Sequence, residues 1–141
     1  MLRSLVLATL ATTAVGAGGL GPLPPLNLFA TPDALTVVVE KSGNPQADGT
    51  FEVTCGDRAE GNHPAAADAC KRLGQLARER ANPFLPVPRD QICSQAYGGP
   101  VVAHVTGTWQ GSKVDARFSR ANGCEINRWE NLEPLLPLVR G

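Results

Sequence analysis

Four cysteines, Cys55, Cys70, Cys93 and Cys124, constrain this chain more than any other feature. Their redox state is set by the start of the sequence. Residues 1–17 have the three-part layout of a secretory signal, with Arg3 as the positive n-region, Ser4 to Ala14 as the apolar stretch, and Val15-Gly16-Ala17 as a small-residue cleavage pattern. Ala30 is an alternative cleavage point, and the apolar stretch is too short to span a bilayer. We therefore expect a secreted, extracellular protein in which an even cysteine count reads as two disulfides. Three pairings are open. We expect the sequential one, Cys55 with Cys70 (fifteen positions apart) and Cys93 with Cys124 (thirty-one apart). In the chain-entropy model each link is worth roughly 3 to 4 kcal/mol, a large part of a small domain's net stability. With no Cys-x-x-Cys unit and only two histidines, a zinc site is not expected, nor is any other metal or cofactor.

The remaining composition narrows the partners. A chain of 141 residues, 43% of them hydrophobic, suits one globular domain. Its 13 basic and 13 acidic residues balance, so no long-range field points to nucleic acid or to an anionic membrane. After the signal, the Gly/Pro-rich stretch 18–32 reads as an extended lead-in, and the domain proper as 33–141.

Leu35 to Glu40 is a β-rich run, Ser42 to Gly49 a turn, and Phe51, Val53 and Cys55 alternate with polar neighbours as a second strand. Beyond a polar loop from Gly56 to Gly61, Asn62 or His63 can cap a helix with Pro64 in its first turn. Its apolar positions Ala66, Ala69, Cys70, Leu73, Leu76 and Ala77 fall at three- and four-residue steps, and Asn82-Pro83 ends it. Lys71, Gln75, Arg78 and Glu79 then form a solvated face. Val101 to Trp109 and Val114 to Phe118 alternate as a second hairpin around Gln110-Gly111-Ser112, and Asn122-Gly123 turns the chain back to Cys124. Sequential hairpins with a helix on one face make an α+β domain with an antiparallel sheet. Val38 and Val102 add apolar side chains to the other face, which a self-associated dimer would cover.

Between the helix and the second hairpin lies Cys93-Ser94-Gln95-Ala96-Tyr97. It contains no general base and no metal-ligand cluster, so it does no chemistry itself. A covalent anchor at Cys93 removes freedom whose loss would cost roughly 1 to 2 kcal/mol per residue when a partner binds. A stiff, protruding peptide of this kind is a binding device.

These residues together resemble the Streptomyces subtilisin inhibitor family of secreted serine-protease inhibitors. The resemblance runs from about Leu35 to Asn127. It rests on the Leu-Thr-Val-Val-Val strand, Val53-Thr54-Cys55, Gly61-Asn62-His63-Pro64-Ala65-Ala66 with Cys70 following, Ile92-Cys93, Tyr97, Pro100-Val101, Trp109-Gln110-Gly111, and Phe118-Ser119 leading to Asn122, Cys124-Glu125 and Asn127. It implies a five-stranded antiparallel sheet with two helices, dimerisation through the sheet, and the same sequential disulfides. It also implies a reactive bond two residues after the third cysteine. Gln95 then enters the protease specificity pocket, Ala96 lies on the leaving side, Cys93 and Ser94 precede, Tyr97 follows, and Asn122 braces the loop from behind. Two departures from the family's pattern imply a looser loop: Ser94 stands where many relatives have proline, and Gly98-Gly99 replaces a connection one residue shorter. Gln95 is uncharged and cannot pair with an acidic pocket floor, so trypsin-like enzymes are disfavoured as partners and subtilisin-like serine endopeptidases favoured.

Two other classes compete. An enzyme is disfavoured because there is no Gly-x-Ser-x-Gly elbow and no His-Glu-x-x-His helix. His63 reads as a helix-entry residue, His104 as an outward strand position, and Trp109 and Trp129 as core or edge aromatics. The alternative to an inhibitor is a non-inhibitory extracellular binding module on the same fold. Arg128 to Gly141 runs past the family's pattern and has no functional reading.

Overall fold

Every second residue of the first strand, β1 (Asp33–Glu40), is sealed from solvent: Leu35, Val37 and Val39. That alternation selects an inner sheet face, and its neighbours share it. Val37 stands opposite Phe51 of β2 (Gly49–Cys55) on one side and Val105 of β4 (Val102–Trp109) on the other. Val105 in turn faces Ala116 of β5 (Ser112–Ser119), and Ala103 faces Phe118. A two-residue strand β3 (Ala59–Glu60) pairs with the end of β2. The result is one five-stranded antiparallel sheet in the order β3-β2-β1-β4-β5. These features come from a computed structural model that describes residues 31–139; the expected signal and most of the expected lead-in lie outside the described residues. Among the described residues no helix is long and apolar enough to cross a membrane.

The β4–β5 hairpin closes through Gln110 and Gly111, at φ 50° and 76°, the two-residue turn whose twist matches the strands. A non-glycine residue is held there because Asp33 accepts hydrogen bonds from both the backbone N–H and the side-chain amide of Gln110.

Helix α1 (Ala66–Arg78) buries Ala69, Leu73 and Leu76 against the inner face, and Cys70 ties it to β2 through the Cys55–Cys70 disulfide. Its ends differ from the sequence expectation. The helix starts after Pro64, with Ala65 as N-cap and no side-chain cap; the His63 ring reaches the Ala65 N–H just ahead of the first turn. His63 Nδ1 accepts the Ala65 N–H, and Nε2 donates to the Leu135 carbonyl, a pairing that fixes the neutral Nε2–H tautomer. At the other end the helix stops before Asn82-Pro83. Arg80 adopts φ 56°, and the Arg80 and Ala81 N–H groups return to the Ala77 and Leu76 carbonyls, the double-bonded left-handed stop usually built on glycine.

The chain's last part is core. Helix α2 (Gly123–Asn131) buries Trp129, and the turns after it bury Leu132, Leu135 and Leu136 completely. Trp129 Nε1 donates to the Pro137 carbonyl. The segment without a functional reading thus closes the hydrophobic core over the β4–β5 side, while α1 covers β2 and β3. The outer sheet face carries Thr36, His104, Thr106, Asp115 and Arg117, with Val38 and Val102 half-buried among them.

Candidate functional site

From Asn82 to Val101 the chain has no helix or strand, yet it is anchored along its length. Phe84 packs edge-on against Trp109 and Phe118, with ring centroids 5.4 and 6.5 Å apart. Prolines at 83, 86, 88 and 100 restrict the backbone on both sides of the exposed centre. The Cys93–Cys124 disulfide then joins the segment to α2, which completes the sequential pairing.

Two backbone hydrogen bonds bracket the centre. The Gly123 N–H, one of the otherwise unpaired donors at the start of α2, donates to the Ser94 carbonyl at 3.0 Å. The Gly98 N–H donates to the Arg120 carbonyl at 2.7 Å. Between these pins Gln95, Ala96 and Tyr97 are all exposed, Tyr97 at 68%. The structure thus brings Cys93, Ser94, Gln95, Ala96 and Tyr97 into one protruding, non-helical run whose backbone is held at both ends.

Packing as well as hydrogen bonding sets these pins. A Cβ on Gly123 would run into the Ser94 hydroxyl and come within 3.2 Å of the Ser94 Cβ, so a larger residue there makes the Ser94 side chain rotate and the loop give by a few tenths of an ångström. Gly98 is equally constrained: a Cβ there would lie 2.8 Å from Arg120 Nε and 2.9 Å from Arg120 Cβ. Against the expected looseness, Gly98 is wedged beside the buried Arg120 side chain and tied by its N–H to the Arg120 backbone carbonyl. Gly99 differs; at φ 100° it turns the chain toward Pro100 with open space around it.

Asn122 lies directly behind this arrangement. Its Oδ1 accepts the Glu125 N–H at 3.0 Å and so caps α2, and the hydrogen bond to the loop comes from its neighbour Gly123. Asn-x-x-Glu is a helix-start signature, and Asn122-Gly123, expected as a turn back to Cys124, instead opens α2. The loop contacts of Gly123 and Arg120 had no such signal, since each depends on long-range approach. Ile92, which enters the resemblance only as part of the Ile92-Cys93 match, stands 96% exposed just before Cys93.

Nothing in the loop suits acid–base or metal chemistry. Among the described residues no group of His, Cys, Asp and Glu is arranged to hold a metal ion. His63 has both ring nitrogens committed, and His104 pairs with Asp115 at 2.6 Å across the outer sheet face. That hydrogen bond, helped by the charges of His104, Arg117 and Lys113, holds the Asp115 carboxyl below its ordinary range.

Comparisons with known proteins identify the family. The family model described as subtilisin inhibitor-like matches residues 31–122. A subtilase-type protease inhibitor of Streptomyces coelicolor is 34% identical over 107 residues, which cover 73% of this chain and 71% of that protein. Subtilisin inhibitor-like protein 2 of Streptomyces rochei is 32% identical over 108 residues, 73% of this chain and 90% of that protein. Among solved structures, Streptomyces caespitosus sermetstatin, in complex with Bacillus licheniformis subtilisin, is similar at 23% identity and a TM-score of 0.48, covering 76% of this chain and 99% of that one. With its sheet, its helices and its two sequential disulfides matching what the sequence resemblance implied, the chain belongs to the subtilisin inhibitor-like family.

Proposed function

We propose that this protein is a secreted inhibitor of subtilisin-like serine proteases that presents the Gln95–Ala96 bond as a slowly consumed substrate. The observation that carries the reading is the exposed run Gln95-Ala96-Tyr97 held between the Ser94 and Gly98 backbone pins and the Cys93–Cys124 disulfide. A peptide so held pairs with an enzyme cleft as an added strand, with its ordering cost already met during folding. That is how an interface of standard size reaches nanomolar affinity, about 12 kcal/mol. Exposed Ile92 and Tyr97 offer apolar surface on either side of the bond for the cleft to cover.

The reaction follows from the same geometry. The protease serine attacks the Gln95 carbonyl, an acyl ester forms, and the amine of Ala96 is released. Because Gly98 remains attached to the scaffold, that amine stays close to the ester at high effective concentration and attacks it in return, re-forming the peptide bond before water enters. Asn122 supports the loop through α2, by fixing the first helical turn from which the Gly123 N–H projects. The chain is a ligand for an enzyme, with no cofactor.

Two further parts of the reading concern assembly and export. The half-buried Val38 and Val102 on the outer sheet face favour a homodimer through the sheet, and the two disulfides favour an oxidising, extracellular setting. The test is a titration of subtilisin with the mature protein in the presence of a chromogenic substrate, followed by sequencing of the loop. Stoichiometric, slowly reversed inhibition is expected. Rapid cutting between Gln95 and Ala96 with turnover, or no effect and no cleavage, overturns the reading, and the last outcome leaves a non-inhibitory binding module.

A further inference from the structure

Arg120 is an unusual residue to find behind an exposed loop. It is 7% exposed, its Nη2 reaches the Glu130 carboxylate only at 3.4 Å, and its Nε and Nη1 are buried without a hydrogen-bond partner among the described residues. Burying guanidinium donors in this way lowers stability, and such a group in a native fold calls for a reason. The reason is adjacent. The Arg120 carbonyl receives the Gly98 N–H, and its side chain fills the space where a Gly98 Cβ would be, with Ile126 Cδ1 closing the same space at 3.2 Å.

We propose that Arg120 is a positioning residue for the inhibitory reaction: its buried stem is a strut behind Gly98 that keeps the Ala96-Tyr97 end in place when the Gln95–Ala96 bond is cut. The proposal rests on the inhibitor reading above. The strut acts on the leaving side alone, since the acyl side is held by Cys93 and by the Gly123–Ser94 hydrogen bond. With the strut in place, the released amine stays within reach of the acyl ester and religation outruns hydrolysis. Without it, Gly98 and the open turn at Gly99 move together, and the amine drifts out of reach.

The test compares wild type, Arg120→Ala, Arg120→Met, Gly98→Ala and the Arg120→Ala/Gly98→Ala double variant. Two readouts are used: the rate at which subtilisin cuts Gln95–Ala96, and hydrogen exchange of the Gly98 amide in the free protein. Arg120→Ala is expected to speed both by about tenfold, because the volume behind Gly98 is emptied. Arg120→Met, which keeps the stem and removes the partnerless donors, is expected to stay within about threefold of wild type in both and to melt no lower. Gly98 lies outside the left-handed backbone region, so only side-chain contacts oppose a methyl there. Gly98→Ala alone is expected to speed cutting about tenfold from the loop side, and the double variant to fall short of the product of the singles by about threefold or more.

Each outcome decides. Wild-type cutting rates in both Arg120→Ala and Gly98→Ala, additive effects in the double variant, or equal losses in Arg120→Met and Arg120→Ala overturn the strut. Should Arg120→Ala not fold, Gly98→Ala and Arg120→Met decide on their own. A wild-type protein that neither inhibits nor is cut refutes the inhibitor reading instead, and the exchange measurement still reports whether Arg120 holds Gly98.

Discussion

Gly123→Ala separates loop geometry from fold stability. The residue is the first of α2, where alanine is ordinarily the better helix former by about 0.5 to 1 kcal/mol, so the fold itself gains or loses little. The loop does not. The new methyl collides with the Ser94 hydroxyl and presses on the Ser94 Cβ at 3.2 Å, so Ser94 rotates and backs away from the helix. Losing the Gly123–Ser94 hydrogen bond costs about 0.5 to 1.5 kcal/mol, and overpacking adds about 1 kcal/mol or more. In the free protein the loop relaxes away from the methyl and sheds most of this strain; forcing it back into the wild-type shape in the complex costs up to about 2 kcal/mol, which weakens subtilisin inhibition by up to roughly thirtyfold, because each 1.4 kcal/mol is tenfold. Inhibition constants and thermal melting measured on the same preparations are the assay. Adding Ser94→Ala to Gly123→Ala removes the hydroxyl from the collision and recovers most of the loss. An inhibition constant for Gly123→Ala equal to wild type, or a melting temperature that falls in step with inhibition, refutes the argument that this glycine is a loop contact.

The two disulfides have different expected effects. Cys93→Ser/Cys124→Ser removes roughly 3 to 4 kcal/mol in the chain-entropy model and turns the protein into a substrate cut at Gln95–Ala96. Cys55→Ser/Cys70→Ser lowers the melting temperature by a similar mechanism but leaves the inhibition constant of the folded fraction unchanged, since that link joins α1 to β2 far from the loop. Gln95→Lys gains inhibition of trypsin, whose acidic pocket floor pairs with the ammonium; a titration with no gain counts against Gln95 as the specificity residue. Asp115→Asn tests the outer face. Because the His104 hydrogen bond lowers the Asp115 carboxyl pKa in the folded state, its contribution is present above the ordinary carboxylate value and is lost as pH falls through the lowered one. Melting curves on the acid side of about pH 4 are expected to be flatter for Asp115→Asn than for wild type, and identical slopes refute the pairing.

What was legible in the sequence is what local physics decides. Leu35, Val37 and Val39 of β1 and Val101, Ala103 and Val105 of the β4 region announce one buried sheet face through their period of two, and the structure seals all six. The inward side of α1 was equally readable at Ala69, Leu73 and Leu76. The errors fall where a distant partner decides. His63 sits at the helix entry as its sequence position suggests, but its ring also spans to the Leu135 carbonyl far along the chain, and the helix begins only after Ala65. The stop at Arg80 is silent in the sequence, because a left-handed stop carries no cue when its residue is not glycine. Beyond Cys124 the apolar residues Trp129, Leu132, Leu135 and Leu136 were in view, but only the sheet's uncovered inner face gives them a place to go. The loop's position was legible from Cys93, whereas its supports at Gly123 and Arg120 are matters of approach distance that spacing does not encode.

The supports are unequal, and the inequality assigns them different jobs. On the acyl side the backbone is held by a covalent link at Cys93 and a helix N–H at Ser94, so the shape offered to the enzyme is fixed before binding and displacement there is felt as lost affinity. On the leaving side the first tie after the bond is the Gly98 hydrogen bond with Arg120 packed behind it, followed by an open glycine turn. In the proposed reaction at Gln95–Ala96, the acyl side cannot leave once the bond is cut and the amine side can. Affinity and resistance to hydrolysis are thus set at opposite ends of the same five residues. On the proposed reading, the proline absent at position 94 bears on how tightly the protein binds, while its lifetime as an inhibitor is set at Gly98, where one hydrogen bond and one buried arginine stand between religation and loss of the loop.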